Sequence, residues 1–228
     1  MKPLHIAILG AKGTGKTWLT QALADELRAR GQAVQTCPAL PCSCHGSDPP
    51  LLTPSTQARQ ASAFEQVRAA QSLATQFSGS WLLSDTTPLM TAVCCDAAFN
   101  DKGLYPMTMA HQALYDITLL AGLDLPVGTN LIAAEAHRQR GAVDSLIRQA
   151  LETAGRAYRV VYGSGPQRIN NALLALGLRP EDSAATQARE HGQFAINRGR
   201  TMWQCNECSD PGCEHKLFTR LMRQRNIA

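Results

Sequence analysis

Apolar positions along this chain come in short runs set between longer amphipathic stretches. Leu4-His5-Ile6-Ala7-Ile8-Leu9 is nearly continuous and of strand length, the pattern of a parallel strand buried on both faces. A glycine-rich segment follows. Residues 16–30 then set Leu19, Ala22, Leu23 and Leu27 on one helical face with charges opposite. Gly31 supplies the stop, and Ala33-Val34-Gln35-Thr36 reads as a second strand. Strand, loop, helix, strand is the opening of a sheet whose strands run parallel beneath flanking helices.

The alternation continues. Residues 57–77 predict a helix, 80–84 a strand that closes at Asp85, and 88–99 a helix. Residues 115–120 read as strand, 142–154 as helix, 158–162 as strand and 167–176 as helix. About five strands alternating with helices place the chain in the α/β class. Residues 37–53 break the pattern: four prolines, a glycine and three cysteines predict a loop over the active-site end. From Gly177 to Arg200 the chain is polar and begins without period. The expected organisation is a domain over residues 1–178, a linker over 179–200 and a small tail over 201–228.

Composition narrows the class. At 228 residues, 44% of them hydrophobic, the chain can bury a core without disulfides. A net charge of +4, from 22 basic and 18 acidic residues, does not by itself imply nucleic acid. No apolar run is long enough to span a bilayer, and residues 1–6 enter a strand pattern with no signal-peptide signature. The expectation is a cytoplasmic protein without a membrane partner, whose eight cysteines are mostly reduced.

The first glycine-rich segment carries the chemistry. Gly10-Ala11-Lys12-Gly13-Thr14-Gly15-Lys16-Thr17 fits glycine, four residues, glycine, lysine and a hydroxyl residue, in the strand-to-helix context of a phosphate-binding loop. Glycines let the backbone curl so that successive N–H groups face phosphate oxygens. The following helix adds the positive end of its dipole. Lys16 reaches the β- and γ-phosphates, and the Thr17 hydroxyl ligates magnesium. The expected cofactors are ATP and Mg2+, bound by Gly10, Ala11, Lys12, Gly13, Thr14, Gly15, Lys16, Thr17 and Trp18. The expected fold is the three-layer P-loop sandwich with a mostly parallel sheet.

Asp85 ends a strand, which puts it at the carboxyl edge of a parallel sheet, where ligands bind. It serves either as an outer partner of the magnesium or as the base that orients an acceptor hydroxyl. The alternative is an N-cap for the helix that follows.

The cysteines fall into groups. Cys205, Cys208, Cys213 and His215 form C-x2-C-x4-C-x-H, with Asp210-Pro211-Gly212 turning the chain between the pairs. Four such ligands in a short segment predict a structural Zn2+. Cys37, Cys42, Cys44 and His45 have ligand types but irregular spacing. Cys94 and Cys95 are adjacent on a predicted helix, so they diverge and read as packing. Residues 216–225 form a short amphipathic helix with Lys216, Arg220, Arg223 and Arg225 on its polar face. It either packs on the body or docks on a protein or nucleic-acid partner.

Four stretches act together here: Ile8-Leu9-Gly10 through Lys16-Thr17; Leu83-Ser84-Asp85-Thr86-Thr87-Pro88 through Val93; Tyr115-Asp116-Ile117-Thr118-Leu119-Leu120 with Leu125-Pro126; and Val160-Val161-Tyr162-Gly163 with Arg168. Over most of residues 4–177 the chain thereby resembles the small-molecule P-loop kinases of the NadR type, the ribosylnicotinamide kinase-like ATPases. The resemblance implies phosphoryl transfer from ATP to a nucleoside-like acceptor. It implies Asp85 beside the acceptor ribose hydroxyl, Gly163 and Arg168 in the nucleotide site with the Gly163 loop near the adenine, and a basic lid after Pro126. Arg138 and Arg140 fall in that lid, where arginine stabilises charge on the transferring group; the alternative is a solvated helix face. The chain departs from the family pattern at Cys94-Cys95 and at Val127-Gly128-Thr129-Asn130. A second reading is therefore a regulatory ATPase, a nucleotide-controlled switch whose tail binds a partner.

Overall fold

The computed structural model describes residues 3–38, 55–126 and 131–180. In chain order these form β1 (Leu4–Leu9), α1 (Lys16–Ala29), β2 (Val34–Cys37), α2 (Thr56–Gln76), β3 (Trp81–Asp85) and α3 (Pro88–Phe99). After them come α4 (Tyr105–Gln112), β4 (Ile117–Ala121), α5 (Leu131–Thr153), β5 (Arg159–Val161) and α6 (Gly165–Ala175). All lie in one compact unit, Met1–Leu178. The sheet order is β2-β3-β1-β4-β5, and every neighbouring pair is parallel.

The most apolar strand takes the centre. Ile6, Ala7, Ile8 and Leu9 of β1 are fully buried because helices cover both faces. Ile6 and Ile8 face a core with Leu19, Leu23 and Leu27 of α1 and Leu173 of α6. Leu9 faces the other layer, with Leu89 and Val93 of α3 and Ile147 and Leu151 of α5. This is the three-layer P-loop sandwich that the alternating pattern predicts. β1 lies between β3 and β4, so the loops at its carboxyl end open at the point where the strand order reverses, the position at which such sheets bind ligands.

Three sequence expectations change. No element is predicted over residues 105–112, where the structure forms α4 with Pro106 in its first turn. At the first turn of a helix proline removes no hydrogen bond and is well tolerated. α5 begins at Leu131 and passes through Gly141, eleven residues before the predicted start at 142. An internal glycine costs only about 1 kcal/mol, which tertiary packing overrides. Cys37 is the buried last residue of β2, not the start of a loop.

Cys94 and Cys95 do diverge: Cys94 packs with Leu9 and Leu120, and Cys95 with Ala63 and Leu104. Cys42, Cys44, His45, the zinc quartet Cys205, Cys208, Cys213 and His215, and residues 216–225 lie outside the described residues. Among the described residues no group of three or more His, Cys, Asp or Glu is placed to hold a metal. No helix among them is long and apolar enough to cross a membrane.

Candidate active site

The phosphate loop leaves the end of β1 at Gly10. Its backbone turns left-handed at Gly10 (φ 149°), Gly13 (φ 77°) and Gly15 (φ 74°), conformations in which a side chain is strained. At Gly10 space is lacking as well: a Cβ would stand 2.8 Å from Thr14 Oγ1 and 3.2 Å from the Ala121 carbonyl oxygen. The loop closes on the Ala11 carbonyl. That oxygen accepts from the Thr14 N–H at 3.3 Å, the Thr14 hydroxyl at 2.8 Å and the Lys16 ammonium at 3.0 Å. Gly15 is the N-cap of α1, so the helix opens at Lys16. Lys12, Gly13, Thr17 and Trp18 are exposed at the mouth of the loop.

Sheet register brings Asp85 to this loop. Asp85 stands opposite Ile8, and the next residue, Thr86, donates its N–H to the Ile8 carbonyl at 3.1 Å. Asp85 is 4% exposed. Burial pushes the Lys16 ammonium below its ordinary pKa; Asp85 is the strongest influence opposing that, and Arg140 adds to the lowering. The N-cap alternative for Asp85 fails. The cap of α3 is Thr87, which makes no side-chain cap bond. Its hydroxyl instead donates to Gln112 Oε1 at 2.7 Å, while Gln112 Nε2 donates to Thr118 Oγ1 at 3.1 Å. Between them Thr86 has φ 71°, a strained setting for a β-branched residue, worth about 1–3 kcal/mol.

The two lid candidates separate. Both sit on α5, where Arg138 is exposed and Arg140 is 5% exposed. The solvated-face alternative therefore fails for Arg140. Its Nη1 donates to the Leu125 carbonyl at 3.2 Å, and its Nε and Nη2 are buried without a hydrogen-bond partner among the described residues. Arg168 is fully buried on α6. Its Nη2 donates to the Thr14 carbonyl at 2.9 Å and its Nη1 to the Gly163 carbonyl at 3.1 Å. Sequence reasoning missed Asp124, which accepts the Gly163 N–H at 2.5 Å and stands 3.7 Å from Arg168 Nη1. The signal was there in part: an acid three residues past a parallel strand also lies at the ligand edge.

The electrostatic field of Arg140 reaches both Lys16 and Arg168, so three cationic side chains gather around one left-handed glycine loop. Buried guanidinium nitrogens short of acceptors are costly unless an anion meets them. This donor set fits the phosphates of a nucleotide, and the exposed Thr17 hydroxyl is the group that would hold magnesium beside them. Beside Thr86 and Thr87 a cavity of ≈ 50 Å³ is lined by Cys37, Gln66, Ser84 and Tyr115.

Two solved structures of NadR proteins share the fold. A NadR protein in complex with NR superposes with TM-score 0.52 at 16% identity, over 77% of this chain and 50% of that one. A NadR protein with NAD and AMP-PNP gives TM-score 0.51 at 16% identity, over 80% and 52%. A deoxyadenosine kinase from M.mycoides with products dcmp and a flexible dcdp bound gives TM-score 0.48 at 12% identity, over 76% and 99%. This chain thus spans about half the length of the NadR chains, and at such identities the likeness concerns the fold alone. No curated protein sequence matches the chain. A family model does: residues 5–168 match the family described as AAA domain, and the chain belongs to it.

Proposed function

We propose that this protein is an ATP- and Mg2+-dependent small-molecule kinase that transfers a phosphoryl group to the hydroxyl of a nucleoside-like acceptor. The observation that carries the reading is Asp85: a buried carboxylate at a strand end, in register with the root of the phosphate loop and within the field of Lys16. A switch could use a carboxylate there as an outer magnesium partner, but only a phosphotransferase uses it as the base beside an acceptor hydroxyl. Gly10 to Thr17 hold the phosphates, with Lys16 on the transferring group, and Trp18 flanks them. Thr17 would hold the magnesium, whose chemistry there would be to offset phosphate charge. Arg140 brings to the phosphates the two nitrogens that lack a partner among the described residues, Arg138 covers them from the same helix, and Gly163 lies on the base side. NR, NAD and AMP-PNP in the NadR complexes are ligands of the kind this reading assigns.

The test is ADP release from ATP across a nucleoside panel that includes nicotinamide riboside. Acceptor-dependent turnover is expected, and Asp85→Asn removes it while ATP still binds. Tight ATP binding with no acceptor-dependent turnover overturns the reading.

One observation favours the regulatory ATPase instead. The cavity that the described residues form beside Thr86 is ≈ 50 Å³, well below the roughly 300–1,000 Å³ of ordinary ligand pockets. In that reading nucleotide state governs a partner of the zinc-bearing tail, and tail deletion abolishes partner capture without changing ATP binding.

A further inference from the structure

The phosphate loop is held from behind. Arg168 is fully buried, yet among the described residues its nearest carboxylate oxygen, Asp124 Oδ1, is 3.7 Å from its Nη1. Its closer contacts are two backbone carbonyls, Thr14 at 2.9 Å and Gly163 at 3.1 Å. Thr14 lies 154 residues from Arg168 in the chain, so this contact joins the phosphate loop to α6. A buried guanidinium is expensive, and its two short bonds go to main chain, so its effect is on backbone geometry.

That effect follows from peptide planarity. In a trans peptide the C=O and the following N–H point to opposite sides. Drawing the Thr14 carbonyl toward Arg168 therefore turns the Gly15 N–H away from it, toward the mouth of the loop. Gly15 is the left-handed N-cap residue of α1, at the end where amide hydrogens have no partners within the helix and where anions bind. The Ala11 carbonyl is already taken by Thr14 and Lys16, so it offers Arg168 no second hold. Asp124 completes the brace: its Oδ2 accepts the Gly163 N–H at 2.5 Å while Arg168 takes the Gly163 carbonyl. Both polar groups of Gly163 are thereby engaged within the protein.

We infer that Arg168 is a positioning residue for the triphosphate, acting through the Thr14–Gly15 peptide rather than on the nucleotide, with Asp124 and Gly163 as its other anchors. The inference rests on the reading that Gly10 to Thr17 hold a nucleoside triphosphate. Arginine suits the role because its planar fork spans two separate acceptors, whereas lysine offers a single point of charge.

The test uses the full chain, with displacement of a fluorescent ATP analogue by ATP, ADP and adenosine in the presence of Mg2+, after circular dichroism shows each variant folded. Arg168→Met is expected to weaken ATP and ADP by about tenfold to a hundredfold, the scale of a misplaced binding group, with adenosine changed by less than about twofold. Arg168→Lys keeps the charge and a donor and falls between. It carries the same comparison where Arg168→Met does not fold. A folded variant that binds ATP within about twofold of wild type overturns the inference alone. So does an equal loss for ATP and adenosine, the mark of a merely structural role. A wild-type chain that binds neither ATP nor ADP overturns the phosphate-loop reading and this inference with it.

Discussion

Gly10 and Gly13 are both left-handed glycines of one loop, yet the structure sets their replacement costs apart. At Gly13 an added Cβ meets nothing within 4 Å. Gly13→Ala therefore bears only the left-handed backbone penalty of about 1–2 kcal/mol, softened by the lower entropy of an alanine in the unfolded chain. At Gly10 the methyl would stand 2.8 Å from Thr14 Oγ1, 3.1 Å from Ala121 Cβ and 3.2 Å from the Ala121 carbonyl oxygen. Thr14 cannot swing aside without losing its 2.8 Å bond to Ala11, and the carbonyl belongs to the end of β4. Gly10→Ala therefore adds overpacking of about 1–3 kcal/mol to a backbone cost of about 1–3 kcal/mol. The expected gap between the variants is about 2 kcal/mol. That is a large part of a net stability of about 5–15 kcal/mol. Urea unfolding followed by circular dichroism reads it. With a slope of about 2 kcal/mol per molar, the Gly10→Ala midpoint should fall about 1 M below that of Gly13→Ala. Equal midpoints, or Gly10→Ala as stable as wild type, would refute the packing argument.

Other expectations reach further into the fold. Gln112→Leu leaves the Thr87 hydroxyl and Thr118 without their shared partner, at about 1–3 kcal/mol for each buried group; a urea midpoint equal to wild type would contradict this. His111 is 5% exposed with its ring edge-on to Tyr115 at 5.5 Å, and burial pushes its pKa below the ordinary 6.5. The unfolded chain then takes the proton first, so stability is full above about pH 6.5 and falls as pH drops toward the folded-state value. His111→Phe should flatten that part of the stability curve, and an unchanged slope between about pH 7 and about pH 5 would show that other groups set it. Elemental analysis of protein purified under reducing conditions without chelator should find about one zinc per chain if Cys205, Cys208, Cys213 and His215 close a site; metal-free protein argues against it.

Much of this protein is local in origin. The run Leu4 to Leu9, the glycine spacing of the phosphate loop and the apolar face of α1 are set by neighbours within a few residues, and burial follows directly from such periodicities. The parallel sheet follows as well, because strands joined through helices have one handed way to pack. Asp85 was legible for the same reason, since a strand's last residue must lie at the sheet's edge.

What distance in the chain conceals is which side chains meet. Arg138 and Arg140 are two residues apart and read alike, yet α5 exposes one and buries the other against the Leu125 carbonyl. Arg168 and Thr14 belong to opposite ends of the fold and touch only because β1 and β5 end at the same edge, with β4 between them. Asp124 gained its partners in the same way. Periodicity encodes a face, but a contact needs the register of several strands at once, and that register exists only when the sheet has closed around β1.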